Sequence, residues 1–92
     1  MLRFRTGRGM VELSDLEAAE LLRRLNVVSA ARPAIETITV SANASTSVTL
    51  TTVENVAVFG VLELWFQESG REGIGRSLAN LRDALADSVE QR

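Results

Sequence analysis

The chain has 92 residues, 46% of them hydrophobic and 24% charged, with a formal net charge of −2. Those values describe one globular domain with a small core. They exclude a disordered tail, a second domain and a global attraction to nucleic acid or anionic membrane. The sequence has no Cys, His, Lys or Tyr, which removes disulfides, thiolates, Schiff bases and most general bases and transition-metal ligands.

The opening segment LRFRTGRGMVEL reads as two short strands about a glycine-containing turn, TGRG. It has no apolar leader core, and the longest apolar run, VAVFGVL, is too short to cross a bilayer. A cytoplasmic setting without membrane attachment is the expectation. On the first strand Arg3 and Arg5 alternate with Leu2 and Phe4, so the two Arg share the opposite face. With Arg8 they make a basic ribbon, a candidate site for anions or nucleic-acid phosphates. Aromatic residues for base stacking are scarce nearby, so the ribbon could equally meet an acidic patch on a protein partner or a second copy.

A capping box follows: Ser14 stands at the N-cap and Glu17 at N3 of a first helix. Its apolar face is Ala18, Leu21, Leu22, Leu25 and Val28, and Glu20, Arg23 and Arg24 face water. NVVSAARP is a connector that ends at Pro33. The next stretch, AIETITVSANASTSVTL, is rich in β-branched residues. It reads as a strand, a turn through SANAST and a second strand at SVTL.

The segments MVELSDLEAAELLRRL (10–25) and SVTLTTVENVAVFGVL (47–62) align without a gap. Val11 matches Val48, Leu13 matches Leu50, Ser14 matches Thr51 and Glu17 matches Glu54. Propensity alone favours a strand or hairpin through 55–66. The shared capping pattern favours a second helix from Thr51 to about Gly70, with Gly70 as its C-terminal stop. The internal repeat (1–28 and 34–68) then predicts an α+β fold within a single domain, 1–92. Two β-β-α units form a mainly antiparallel four-stranded sheet with helices on one face, and a third helix follows at 72–90.

The second helix is apolar on two sides. Val58, Phe59, Leu62 and Trp65 face the sheet, and Val53, Ala57, Gly60, Val61 and Leu64 form a second face. The third helix offers one stripe, Ile74, Leu78, Leu81, Leu85 and Val89. It is expected to pack on the second helix, within the chain or across a dimer, where Ala57 and Gly60 permit close approach. One narrow stripe is too small to cover so much apolar surface. The candidate interface residues are therefore Trp65, Phe66, Leu78, Leu81 and Leu85, and the expected partner is a second copy of the chain or another protein.

Little else could carry chemistry. Glu12, Asp15, Glu17 and Glu20 cluster in sequence, but along a strand end and a solvated helix, as on an ordinary charged surface. GREGIGR (70–76) resembles a phosphate-cradling turn, yet it follows a helix rather than a strand and has no Lys, so it reads as an interhelical corner. No catalytic residues, metal ligands or cofactor are expected. The functional expectation is a small non-enzymatic interaction module, an adaptor or regulator. The alternative is a nucleic-acid-binding regulator using Arg3, Arg5 and Arg8.

Overall fold

A computed structural model describes residues 2–90. The chain begins with a hairpin: β1 (Leu2–Thr6) pairs antiparallel with β2 (Gly9–Leu13), Phe4 opposite Val11. Thr6 closes the turn. Its hydroxyl donates to the Gly9 carbonyl at 2.7 Å and accepts the Arg8 N–H at 3.2 Å. Leu2, Phe4 and Leu13 are buried, while Arg3 and Arg5 point outward.

Helix α1 (Asp15–Leu25) starts at the predicted capping box. The Glu17 amide donates to Ser14 Oγ at 3.2 Å, and the Ser14 amide donates to Glu17 Oε1 at 2.9 Å. Leu21 and Leu25 are its buried residues, and Leu22 is half-buried. A 3-10 turn (Ser29–Ala31) leads into α2 (Arg32–Asn43).

The four-stranded sheet does not form. Among the described residues there are four α-helices and one two-stranded sheet. Two physical causes account for the difference. The stretch expected as a strand from Ile35 becomes α2, because Pro33 fits the first helical turn and Ala34 and Ile38 lie on one buried helix face. That face is satisfied by tertiary packing, which overrides the strand preference of Ile, Thr and Val. Helix α2 ends with Ser45 in the left-handed region (φ 58°) and the Thr46 amide bonded back to the Ser41 carbonyl at 2.9 Å.

The segment SVTL, expected as the fourth strand, contributes one parallel bridge. Val48 accepts from the Arg5 amide at 2.8 Å and donates to the Arg3 carbonyl at 2.7 Å. Phe4 is thus flanked by Val11 on one side and Val48 on the other, the two residues matched in the sequence alignment.

Helix α3 (Thr52–Ile74) carries the second capping box. The Thr51 amide donates to Glu54 Oε1 at 2.8 Å, and the Glu54 amide to Thr51 Oγ1 at 3.3 Å. Gly70, the expected stop, does leave helical geometry (φ 71°), but one more turn runs to the buried Ile74 before Gly75 (φ 94°) ends the helix. Helix α4 (Arg76–Glu90) begins later than the expected residue 72 and makes its most extensive packing against α3. The core is built on Val58, Leu62 and Trp65 of α3, with Leu78, Leu81 and Leu85 of α4 and the inner faces of β1, α1 and α2.

Candidate functional site

Of the five residues expected at an interface, four lie inside the chain's own fold and the fifth, Phe66, is half-buried. Trp65, Leu78, Leu81 and Leu85 are all buried in the chain's own core. Phe66 is half-buried between two guanidinium groups, Arg82 at 4.4 Å and Arg71 at 5.5 Å from its ring centre. Arg82 also binds Glu63 Oε2 through Nε at 2.8 Å and Asp83 Oδ1 through Nη1 at 2.8 Å. Partial burial works against the Arg82 charge, and Asp83 and Glu63 more than offset it, so its pKa is raised. Phe66 is thus held in a cation–π and ion-pair cluster that fixes α4 on one side of α3.

That placement leaves much of the other side open. Of the second apolar face, Val61 is buried and Ala57 packs partly against the core, but α4 lies on the side of Glu63 and Phe66 and does not cover Val53, Gly60 or Leu64. Along the outward face of α3, Val53 is 69% exposed, Val56 46% and Leu64 62%. Gly60 is exposed between them, with open space where a Cβ would stand. Beside Leu64, a small depression is lined by Val27, Val28 and Val61 and closed by Arg24 and Glu68. Val27 is 84% exposed. The stripe itself is uncharged, running through Val53, Val56, Gly60, Leu64 and Gln67. With Val27 and Val28 beside Leu64 it exposes on the order of a few hundred Å² of apolar surface, the scale of the largest patch on an ordinary monomer.

Nothing in the sequence distinguishes Val27, whereas Val56 carries a legible signal. It completes the helical spacing 53, 56, 60, 64.

A second depression, about 440 Å³, lies between α1 and the corner joining α3 to α4, with Trp65, Ile74 and Leu78 in its floor and exposed Leu16 on its rim. Its polar groups already have structural partners. Glu17 is spent in the capping box, and Glu20 binds Arg23 and Arg24. The Arg23 hydrogen bond, helped by the charges of Arg23 and Arg24, outweighs the opposing effect of burial and keeps the Glu20 carboxyl below its ordinary pKa. Arg24 in turn lies over the Trp65 ring at 4.1 Å.

The sequence cluster of Glu12, Asp15, Glu17 and Glu20 does not converge on a shared centre, and no group of three acidic residues is placed to hold a metal among the described residues.

The basic ribbon is only partly assembled. Arg3 and Arg5 are exposed on β1, opposite Glu12 and Met10 of β2. Arg8 turns away to a bidentate pair with Asp87 of α4. At the α3–α4 corner Arg71 likewise bonds Asp83 at 3.4 Å, so GREGIGR forms an interhelical corner. Among the described residues no helix is long and apolar enough to cross a membrane.

No protein-family model matches the sequence, and no curated protein or solved structure is significantly similar to it.

Proposed function

We propose that this protein is a small interaction module, an adaptor or regulator that works by docking rather than by catalysis, with the cytoplasm as its setting. The observation that carries the reading is the open, uncharged face of α3. Exposed apolar residues scattered singly are ordinary, but a continuous helix stripe of this kind marks a contact surface. Support also comes from the polar groups. Glu17 and Glu54 serve caps, while Glu20, Glu63, Asp83 and Asp87 are committed to Arg partners.

The test is the double variant Val53→Asp, Leu64→Glu. Both side chains are exposed, so the folded monomer should keep its circular dichroism spectrum and change in stability by only about 0.5 kcal/mol. Association should be lost, whether measured as mass by light scattering or as co-purification of a bound protein. A wild-type chain that is monomeric and captures nothing, indistinguishable from the variant, would overturn the reading.

A further inference from the structure

We infer that the occupant of the α3 face is α3 of a second copy, packed antiparallel about a two-fold axis at Gly60. This rests on the docking surface proposed above and names what fills it. The outward positions are Val53, Val56, Gly60, Leu64 and Gln67. Their spacing is three, four, four, three, which is symmetrical about Gly60 and follows a single helix face. A two-fold axis there sets Val56 against Leu64 of the second copy, and Val53 against Gln67, on both sides of the crossing. An isologous contact requires that kind of self-complementarity.

Three further observations favour this arrangement. Gly60 has no neighbour in the space a Cβ would take, so two backbones can approach where the helices cross. The stripe has no charge to desolvate or repel. Direction follows from the helix ends, because the flanking Glu63 and Glu68 are each paired with an Arg of their own chain, Arg82 and Arg24. A parallel pair would set like helix ends side by side. The antiparallel pair sets the negative end of each α3 beside the positive N-terminal end of the other. It also pairs a smaller Val with a longer Leu, instead of Val with Val and Leu with Leu. The apolar stripe alone falls short of the roughly 800 Å² per partner of a stable complex, so the uncharged rim at Thr52 and Gln67 must be covered as well.

The chain has no Cys, so single cysteines report the pairing cleanly. Full-length Val56→Cys and Leu64→Cys chains, each alone and then mixed in equal amounts, are treated with a short bismaleimide. The mixture should give the Val56–Leu64 cross-linked dimer about tenfold over either like-with-like product, where random collision gives about twofold. Like-with-like products from each variant alone, exceeding the mixed product, would overturn the antiparallel arrangement. A wild-type chain still monomeric by light scattering at about 1 mM would overturn the second copy as occupant. If that chain nevertheless captures another protein through α3, and loses it in the Val53→Asp, Leu64→Glu variant, the docking surface stands and only its occupant is refuted.

Discussion

Replacing Thr37 with Val removes one hydroxyl and leaves the shape of the side chain almost unchanged. That hydroxyl is the polar link from α2 to α3, donating to Glu54 Oε2 at 2.5 Å. Glu54 is only 6% exposed, and its other oxygen accepts from the Thr51 amide at 2.8 Å. Burial by itself pushes this carboxyl's pKa up. The Thr37 hydroxyl and the Thr51 amide and hydroxyl outweigh that and hold it below its ordinary value.

Thr37→Val therefore leaves one oxygen of a buried carboxylate without this donor, a loss of about 1.5–3 kcal/mol. In a domain of this length each kcal/mol moves Tm by about 4–8 °C, so a loss near 2 kcal/mol lowers it by about 8–16 °C at pH 7.

The pH dependence has a definite sign. A carboxyl with a depressed folded pKa contributes fully above its unfolded value of about 4.3, and that contribution disappears as the pH falls through the folded value. The gap between wild type and Thr37→Val, followed by thermal and urea unfolding, should be constant from about pH 5 to 7 and narrow in more acid solution. A variant melting within about 2 °C of wild type at pH 7, or a gap that does not change with acid, would refute this account of Glu54.

Other perturbations test the backbone and the charges. Ser45→Gly should raise stability by about 1 kcal/mol, because a Cβ is disfavoured at φ 58°, and Gly75→Ala should lower it by about 1–2 kcal/mol at φ 94°; urea unfolding measures both. Gly60→Ala, measured at a dilution where the chain is monomeric, should instead stabilise by up to about 1 kcal/mol, since the site is helical and open. Arg8→Ala breaks an exposed pair with Asp87 and should cost under about 1 kcal/mol, less still in high salt. The intact protein should show no binding to single- or double-stranded DNA at low salt in a fluorescence titration, since only Arg3 and Arg5 of the ribbon are free of the α4 contact.

The features legible in the sequence are the local ones. TGRG announces the hairpin, and Ser14 with Glu17, and Thr51 with Glu54, announce two helix starts, because each signal acts within four residues. The apolar stripe is equally plain in Leu78, Leu81 and Leu85 of α4 and in Ile74, which closes α3. Helix α2 was not, because Ile35, Thr37, Ile38 and Val40 satisfy strand propensity as well as they satisfy a helix face. The decision came from distant partners, among them Glu54. The same limit applies to α3. A helix apolar on two sides does not say which side its neighbour will take. That choice rests on Arg82 meeting Glu63 and Phe66, a set brought together only by the turn at Gly70 and Gly75. The candidate surface was therefore visible as an excess of apolar residues, but its location was not.

Phe4 is held between Val11 and Val48, and the two sides of that strand close over very different lengths of chain. The hairpin closes through a two-residue turn, a fast local event. The Val48 bridge encloses all of α1 and α2, so its loop-closure entropy must be met before the contact returns anything. The stretch from Ser45 to Thr51 thus ties the start of α3 to the edge of β1. A contact that closes so long a loop is expected to form after the hairpin, so a substitution at Val48 should speed unfolding while leaving the refolding rate almost untouched, as stopped-flow kinetics would measure. The Val48 bridge therefore helps to set where the chain enters α3 and its open face.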